Sequence, residues 1–100
     1  MSVPFRTRLL PAAMSHIQSW ALPEALFVEV FLWLNDRLPQ QPSHWLIPAP
    51  EPDGGMLLRF SVVDPENRYC EHTFQFRIYY HTDEVTLLVA SGTHRRQVGY

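Results

Sequence analysis

The apolar residues of this chain change their period once, and that change restricts the fold more than any other feature. From residue 11 to residue 38 they recur every three or four positions, and after Gly54-Gly55 they alternate. The first spacing is that of helices, the second that of strands with one covered face. A helical stretch followed by alternating strands makes an α+β domain, with helices laid on one face of an antiparallel sheet. At 100 residues the chain is expected to form one domain over 1–100, and an apolar fraction of 46% supplies a single core.

Local signals set the expected elements. SVPFRTRLL, residues 2–10, alternates and contains Pro4, which an edge strand tolerates. Pro11 opens a first helix with Met14, Ile17 and Ala21 on one face and Ala13 and Trp20 beside them. Leu22-Pro23 breaks it, because the residue before a proline leaves the helical region. A second helix is expected from about Pro23 to Leu38, with a stripe of Phe27, Val30, Phe31, Leu34 and Leu38 widened by Leu26 and Trp33, and Pro39 stops it. The two helices read as an antiparallel hairpin. Residues 39–55 hold five of the nine prolines and read as a stiff loop anchored by Trp45, Leu46 and Ile47.

Three strands follow. MLLRFSVV (56–63) leads through the turn DPEN (64–67) into RYCEHTFQFRIYYH (68–81), then a tight Thr82-Asp83 hairpin and EVTLLVAS (84–91), which Gly92 ends. The expected order is an N-terminal strand, a two-helix antiparallel hairpin and a three-stranded antiparallel meander.

Alternation then sorts the meander into faces. Leu58, Phe60, Val62, Phe74, Phe76, Ile78, Tyr80, Val85, Leu87 and Val89 should cover the helices. The other face carries Leu57, Arg59, Ser61, Val63, Thr73, Gln75, Arg77, Tyr79, His81, Thr86 and Leu88. Two readings of that face stand side by side. It is a solvated exterior, or an Arg/Tyr platform for an anionic or nucleic-acid partner, since Arg forks grip phosphate and Tyr rings stack on bases.

Composition narrows the partners. The formal charge of -2 argues against non-specific binding to nucleic acid. All eight basic residues are arginine, so an anion would be held by planar guanidinium forks, by His or by backbone groups. The single cysteine, Cys70, rules out an internal disulfide, and a cysteine-based zinc site is not expected. Cys70 reads as an inert thiol, His16 as a solvated side chain, and His44, His72 and His81 show no paired spacing, so no metal or other cofactor is expected. No run approaches the ~18 apolar residues that span a bilayer, and the first residues lack the order of a secretory signal. A cytoplasmic protein without a membrane partner is the expectation.

The stretch FRIYYHTDEVTLLVASGTHRRQVGY resembles the last two strands and tail of the RelE/ParE toxin superfamily. The shared features are Phe76-Arg77, Ile78-Tyr79-Tyr80, the acidic turn Asp83-Glu84, the apolar run Val85 to Ala90, Gly92, the basic pair Arg95-Arg96 and Tyr100. The resemblance implies a RelE/ParE-like fold and a toxin of a type II toxin–antitoxin system, held inactive by a small antitoxin protein. It implies either cleavage of ribosome-bound mRNA, as in the RelE branch, or action on DNA gyrase, as in the ParE branch. By the same resemblance Arg77 contacts the scissile phosphate, Tyr100 stacks on or acts upon the RNA, and Gly92 opens the basic turn. His94 stands where the RelE branch has an Arg, and Arg59 lies on the strand that supplies a basic pair there.

Endoribonuclease chemistry needs a base for the ribose 2′-hydroxyl, an acid for the leaving 5′-oxygen and cations around the phosphorane. The expected catalytic residues are Arg77, His94 and Tyr100, with His94 as base or acid because imidazole titrates near neutrality. Arg59, Gln75, Tyr79, Arg95 and Arg96 are expected to bind substrate. The competing reading is a gyrase-type toxin or a divergent, non-catalytic interaction module. Phe27, Phe31, Trp33 and Leu34 are many apolar groups for one helix of a small domain, so a helical face that takes an antitoxin or a second copy of the chain is expected.

Overall fold

The computed structural model describes residues 5–50 and 54–99. The order is β1 (Arg6–Leu9), α1 (Pro11–Ser19), α2 (Glu24–Leu32), a π-helical turn (Trp33–Arg37), α3 (Leu38–Gln40), α4 (Pro42–Trp45), β2 (Ile47–Pro48), β3 (Met56–Asp64), β4 (Asn67–Tyr80) and β5 (Thr86–Val98). The strands form one five-stranded sheet in the order β1-β5-β4-β3-β2. β3, β4 and β5 make the expected antiparallel meander, and β1 joins its far edge in parallel with β5, Arg6 opposite Thr86 and Leu9 opposite Val89. No helix among the described residues is long and apolar enough to cross a membrane.

The core lies between the helices and one sheet face. Ala13 and Ile17 of α1, and Val30, Leu34 and Leu38 of the second helical stretch, meet Leu58, Phe60, Phe74, Phe76, Ile78, Leu87 and Val89. Phe74 and Phe76 are fully buried, and each such ring contributes roughly 1.5–3 kcal/mol through removal of apolar surface from water. Trp33 stacks on Phe60, with ring centroids 4.7 Å apart.

Several boundaries differ from expectation. The stripe of the second helix centres on Leu26, Val30, Leu34 and Leu38, and Phe27 faces outward. That four-residue spacing drifts around a regular α-helix, and the wider i→i+5 turn at Trp33–Arg37 re-aims it at the sheet. Pro39 does not stop the helix. It sits just where the bonding pattern changes, after the Leu38 N–H bonds the Trp33 carbonyl, and helical structure continues to Gln40. The proline loop contributes the short edge strand β2, Ile47 opposite Leu57. The last hairpin is wider than a Thr82-Asp83 turn: Tyr80 ends β4, Thr86 begins β5, and Glu84 takes a left-handed φ of 63° between them. There the Asp83 carboxylate accepts the Val85 and Thr86 N–H groups and the Thr86 hydroxyl, interactions led by Thr86 that lower its pKa to about 2.

The largest correction concerns Gly92, which does not end the last strand. β5 runs to Val98, because β4 is 14 residues long and offers partners from Arg77 back to Cys70. Ile78 pairs with Val89 but Arg77 pairs with Ser91, so Ala90 is the extra residue of a bulge. One extra residue reverses which side chains face the helices. Upstream they are Leu87 and Val89; downstream they are Gly92, His94 and Arg96, opposite Phe76, Phe74 and His72. Gly92 is buried under the Phe76 ring, and its N–H donates to His16 Nδ1 at 3.2 Å, so His16 has a partner and is not merely solvated.

Candidate functional site

The helix-free face is built in rows of cross-strand partners, which share a face in an antiparallel ladder. Leu57, Arg77 and Ser91 form one row, Arg59, Gln75 and Thr93 the next, and Ser61, Thr73 and Arg95 a third. Three guanidinium groups, from Arg59, Arg77 and Arg95, therefore project from one face around Gln75, one from each strand of the meander. Arg59 and Arg95 are exposed, and Gln75, Arg77 and Tyr79 are half-buried. Ser61 and Thr73 hydroxyls lie 3.0 Å apart and tie two rows together.

One end of this face is walled by backbone. Gly54 and Gly55 adopt φ of 77° and 88°, which non-glycine residues rarely do. Arg77 Nη1 donates to the Gly54 carbonyl at 3.3 Å, and a Cβ at Gly55 would stand 2.8 Å from Tyr79 Cε1. The Gly-Gly step thus lets the chain lie flat across Arg77 and Tyr79 and fixes both side chains.

Of the residues expected to act together, the structure gathers Arg59, Gln75, Arg77, Tyr79 and Arg95. It separates His94 and Arg96 from them. Plain alternation from Val85 puts both on the helix-free face; the Ala90 bulge turns them to the other. Tyr100 lies outside the described residues.

On the helix side, His94 stands in a second constellation. Its ring stacks on His72 and Phe74 and against Trp20, with centroids 5.1, 4.9 and 5.5 Å away. His94 Nε2 is 2.9 Å from His72 Nδ1, and His72 Nε2 is 2.8 Å from Asp64 Oδ2. Arg96 Nε donates to Cys70 Sγ at 3.1 Å. Burial first, then the adjacent His72, holds His94 below the usual imidazole range. The hydrogen bond from His72, then that from the Glu66 N–H, holds the Asp64 carboxyl below its ordinary value. The sequence reads Cys70 as an inert thiol and His72 as a histidine without paired spacing, yet one signal joins them: they are two apart in a strand and so share a face.

The sequence matches no protein-family model and no curated protein. The structure is similar to a chain of the crystal structure of the toxin–antitoxin complex RelBE2 from Mycobacterium tuberculosis, with a TM-score of 0.66 and 18% identity, over 93% of this chain and 100% of that one. The α+β architecture expected from the sequence is the one observed, and it is the fold of that chain.

Proposed function

We propose that this chain is a toxin-like protein of a type II toxin–antitoxin pair, acting in the cytoplasm as an mRNA endoribonuclease through its helix-free face. The observation that carries the reading is the alignment of Arg59, Arg77 and Arg95 on one face, on a fold shared with a chain of a toxin–antitoxin complex. Guanidinium forks at these three places suit consecutive phosphates of a single strand, and the half-buried Tyr79 ring suits a base. Arg77, held by the Gly54 carbonyl, is the best-positioned group for the charge that grows on a phosphorane. Arginine keeps its proton in proteins, so these side chains position the phosphate and balance its charge without taking the 2′-hydroxyl proton. Tyr100 remains in the proposal as acid or stacking partner. His94 stays in it only as a group acting from the opposite side of the sheet.

The antitoxin is proposed to cover the apolar groove of Phe27, Val28, Phe31 and Leu32 on α2, with Asn35 and Asp36 at its end. A homodimer through this face is the alternative occupant. Induction in cells tests the reading: growth should stop, mRNA should be cut, and Arg77→Ala should relieve both. Harmless expression with intact ribosome-bound mRNA would overturn it. The placement of His94 favours a second reading, a non-catalytic or gyrase-directed toxin, in which growth stops while mRNA stays whole.

A further inference from the structure

We infer that Asp64, Cys70 and His72 form a binding site for a divalent transition-metal ion of zinc type, separate from the arginine face and independent of the toxin reading. Asp64 Oδ2, Cys70 Sγ and His72 Nε2 all lie within 4.8 Å of one another. His72 Nε2 is 2.8 Å from the carboxylate oxygen and 3.9 Å from the sulfur. Donors bound to one tetrahedral zinc at bond lengths of about 2.0–2.3 Å stand roughly 3.3–3.6 Å apart, so small side-chain rotations bring all three onto one ion. The donor set of thiolate, imidazole and carboxylate is the mixture that zinc takes, and it leaves a fourth position for water or another donor.

Strand geometry builds the site. Cys70 and His72 are alternate residues of β4 and project toward the helix side, where both are buried, at 1% and 4% exposure. Asp64 lies two residues beyond Val62, the β3 partner of His72, so strand alternation turns its carboxylate to the face that carries Cys70 and His72, at the point where the β3–β4 register shifts.

The surroundings are those a metal site needs. Without an ion, His72 Nε2 and Asp64 Oδ2 hydrogen-bond each other, and an ion would displace the proton between them while other groups hold each ligand. Asp64 Oδ1 accepts the Glu66 N–H at 2.8 Å, which directs Oδ2 inward. His72 Nδ1 meets His94 Nε2 at 2.9 Å, so with an ion bound His72 would hold its proton on Nδ1 and donate it to His94, freeing the Nε2 lone pair for the metal. Arg96 Nε, 3.1 Å from Cys70 Sγ, supports the thiolate. A divalent ion balances the two negative ligands, and Arg96 leaves the cluster with one positive charge. Because His94 and Arg96 belong to β5, a bound ion would tie the end of the β3–β4 hairpin to the last strand. It would thereby steady Arg95, which lies between them in sequence and faces the other way.

The test uses the tag-free full chain stripped of metal with a chelator, and Co2+ as the probe. Binding should saturate at one equivalent and produce a sulfur-to-cobalt charge-transfer band, which Zn2+ then abolishes. Cys70→Ser should remove the band. His94→Gln, which spares all three ligands, should weaken binding about tenfold or more. Circular dichroism checks that each variant folds, and if Cys70→Ser fails to fold, Asp64→Asn takes its place with at least tenfold weaker binding expected. Zn2+ should raise the wild-type Tm, and a chelator should reverse the rise. A folded wild type with no charge-transfer band and no Zn2+-dependent Tm overturns the inference. So does a Co2+ spectrum without sulfur character, which would mean binding at surface histidines such as His44 or His81.

Discussion

Phe76 lies directly over Gly92, close enough that a Cβ on the glycine would come within 2.6 Å of Phe76 Cε1 and 3.1 Å of Trp20 Cη2. The ring is fully buried. Gly92→Ala should therefore destabilise the protein by about 1–3 kcal/mol, the usual cost of overpacking a core. Urea unfolding measures this directly; an unchanged midpoint would show that the Trp20 and Phe76 rings move aside freely.

Adjacent arginines should behave differently. Arg95 projects from the helix-free face, whereas Arg96 reaches Cys70 on the helix side. Under the proposed function, Arg95→Ala should weaken binding of a short single-stranded RNA about tenfold, the size expected for one lost charge-assisted contact, with no change in stability. Arg96→Ala should cost about 1 kcal/mol of stability and leave RNA affinity unchanged. Fluorescence anisotropy and urea melts on both variants separate the effects, and equal RNA losses would contradict the assignment of faces.

The final hairpin should loosen in acid. Asp83 has a folded pKa of about 2, lowered mainly by hydrogen bonds from Thr86 and Val85, against about 3.9 in an unfolded chain. A depressed carboxylate pKa contributes stability above the unfolded value, and that contribution fades as pH falls from about 4 to 2. Asp64 is shifted in the same direction, so the comparison that isolates Asp83 is wild type against Asp83→Asn. Thermal melts at pH 5 should show the variant less stable, and the gap should close near pH 2. A gap that stays constant would assign the stabilisation to something other than the carboxylate charge.

Gly55→Ala should free the segment that walls the arginine face. The substitution combines a φ of 88° with a Cβ placed 2.8 Å from Tyr79. The Ala49 N–H, which donates to the Gly55 carbonyl at 3.1 Å, should then exchange with solvent at least tenfold faster. Hydrogen exchange at Ala49 reads this, and protection equal to wild type would mean that the loop absorbs the strain elsewhere.

Much of this was written in local patterns. The alternation of Leu58, Phe60, Phe74, Phe76 and Ile78 marks the buried face, and Pro65 marks the turn that joins β3 to β4. The arginine face followed from the same alternation as far as Arg59, Gln75, Arg77 and Tyr79. The tail did not, for two physical reasons. Alanine gives no sign of a bulge, so Ala90 hides the step that exchanges the faces of His94 and Arg95. Residues 91–98 are mostly polar on both faces, so their pairing with β4 leaves no period to detect. The Asp64, Cys70 and His72 cluster depends on how β3 pairs with β4, a property of two strands together that neither sequence segment expresses alone.

The parallel pairing of β1 with β5 has a consequence for how the chain comes into being. Arg6 meets Thr86 and Leu9 meets Val89, so β1 leaves the ribosome about eighty residues before its partner strand. Until β5 is made, β1 must wait as an unpaired strand while α1, α2 and the β3–β4 hairpin assemble from nearby contacts. Closure of this edge of the sheet then follows the synthesis of β5. A growing chain interrupted before residue 86 would carry the helices and the hairpin but would lack Arg95 and its strand, and it would expose an open β-edge.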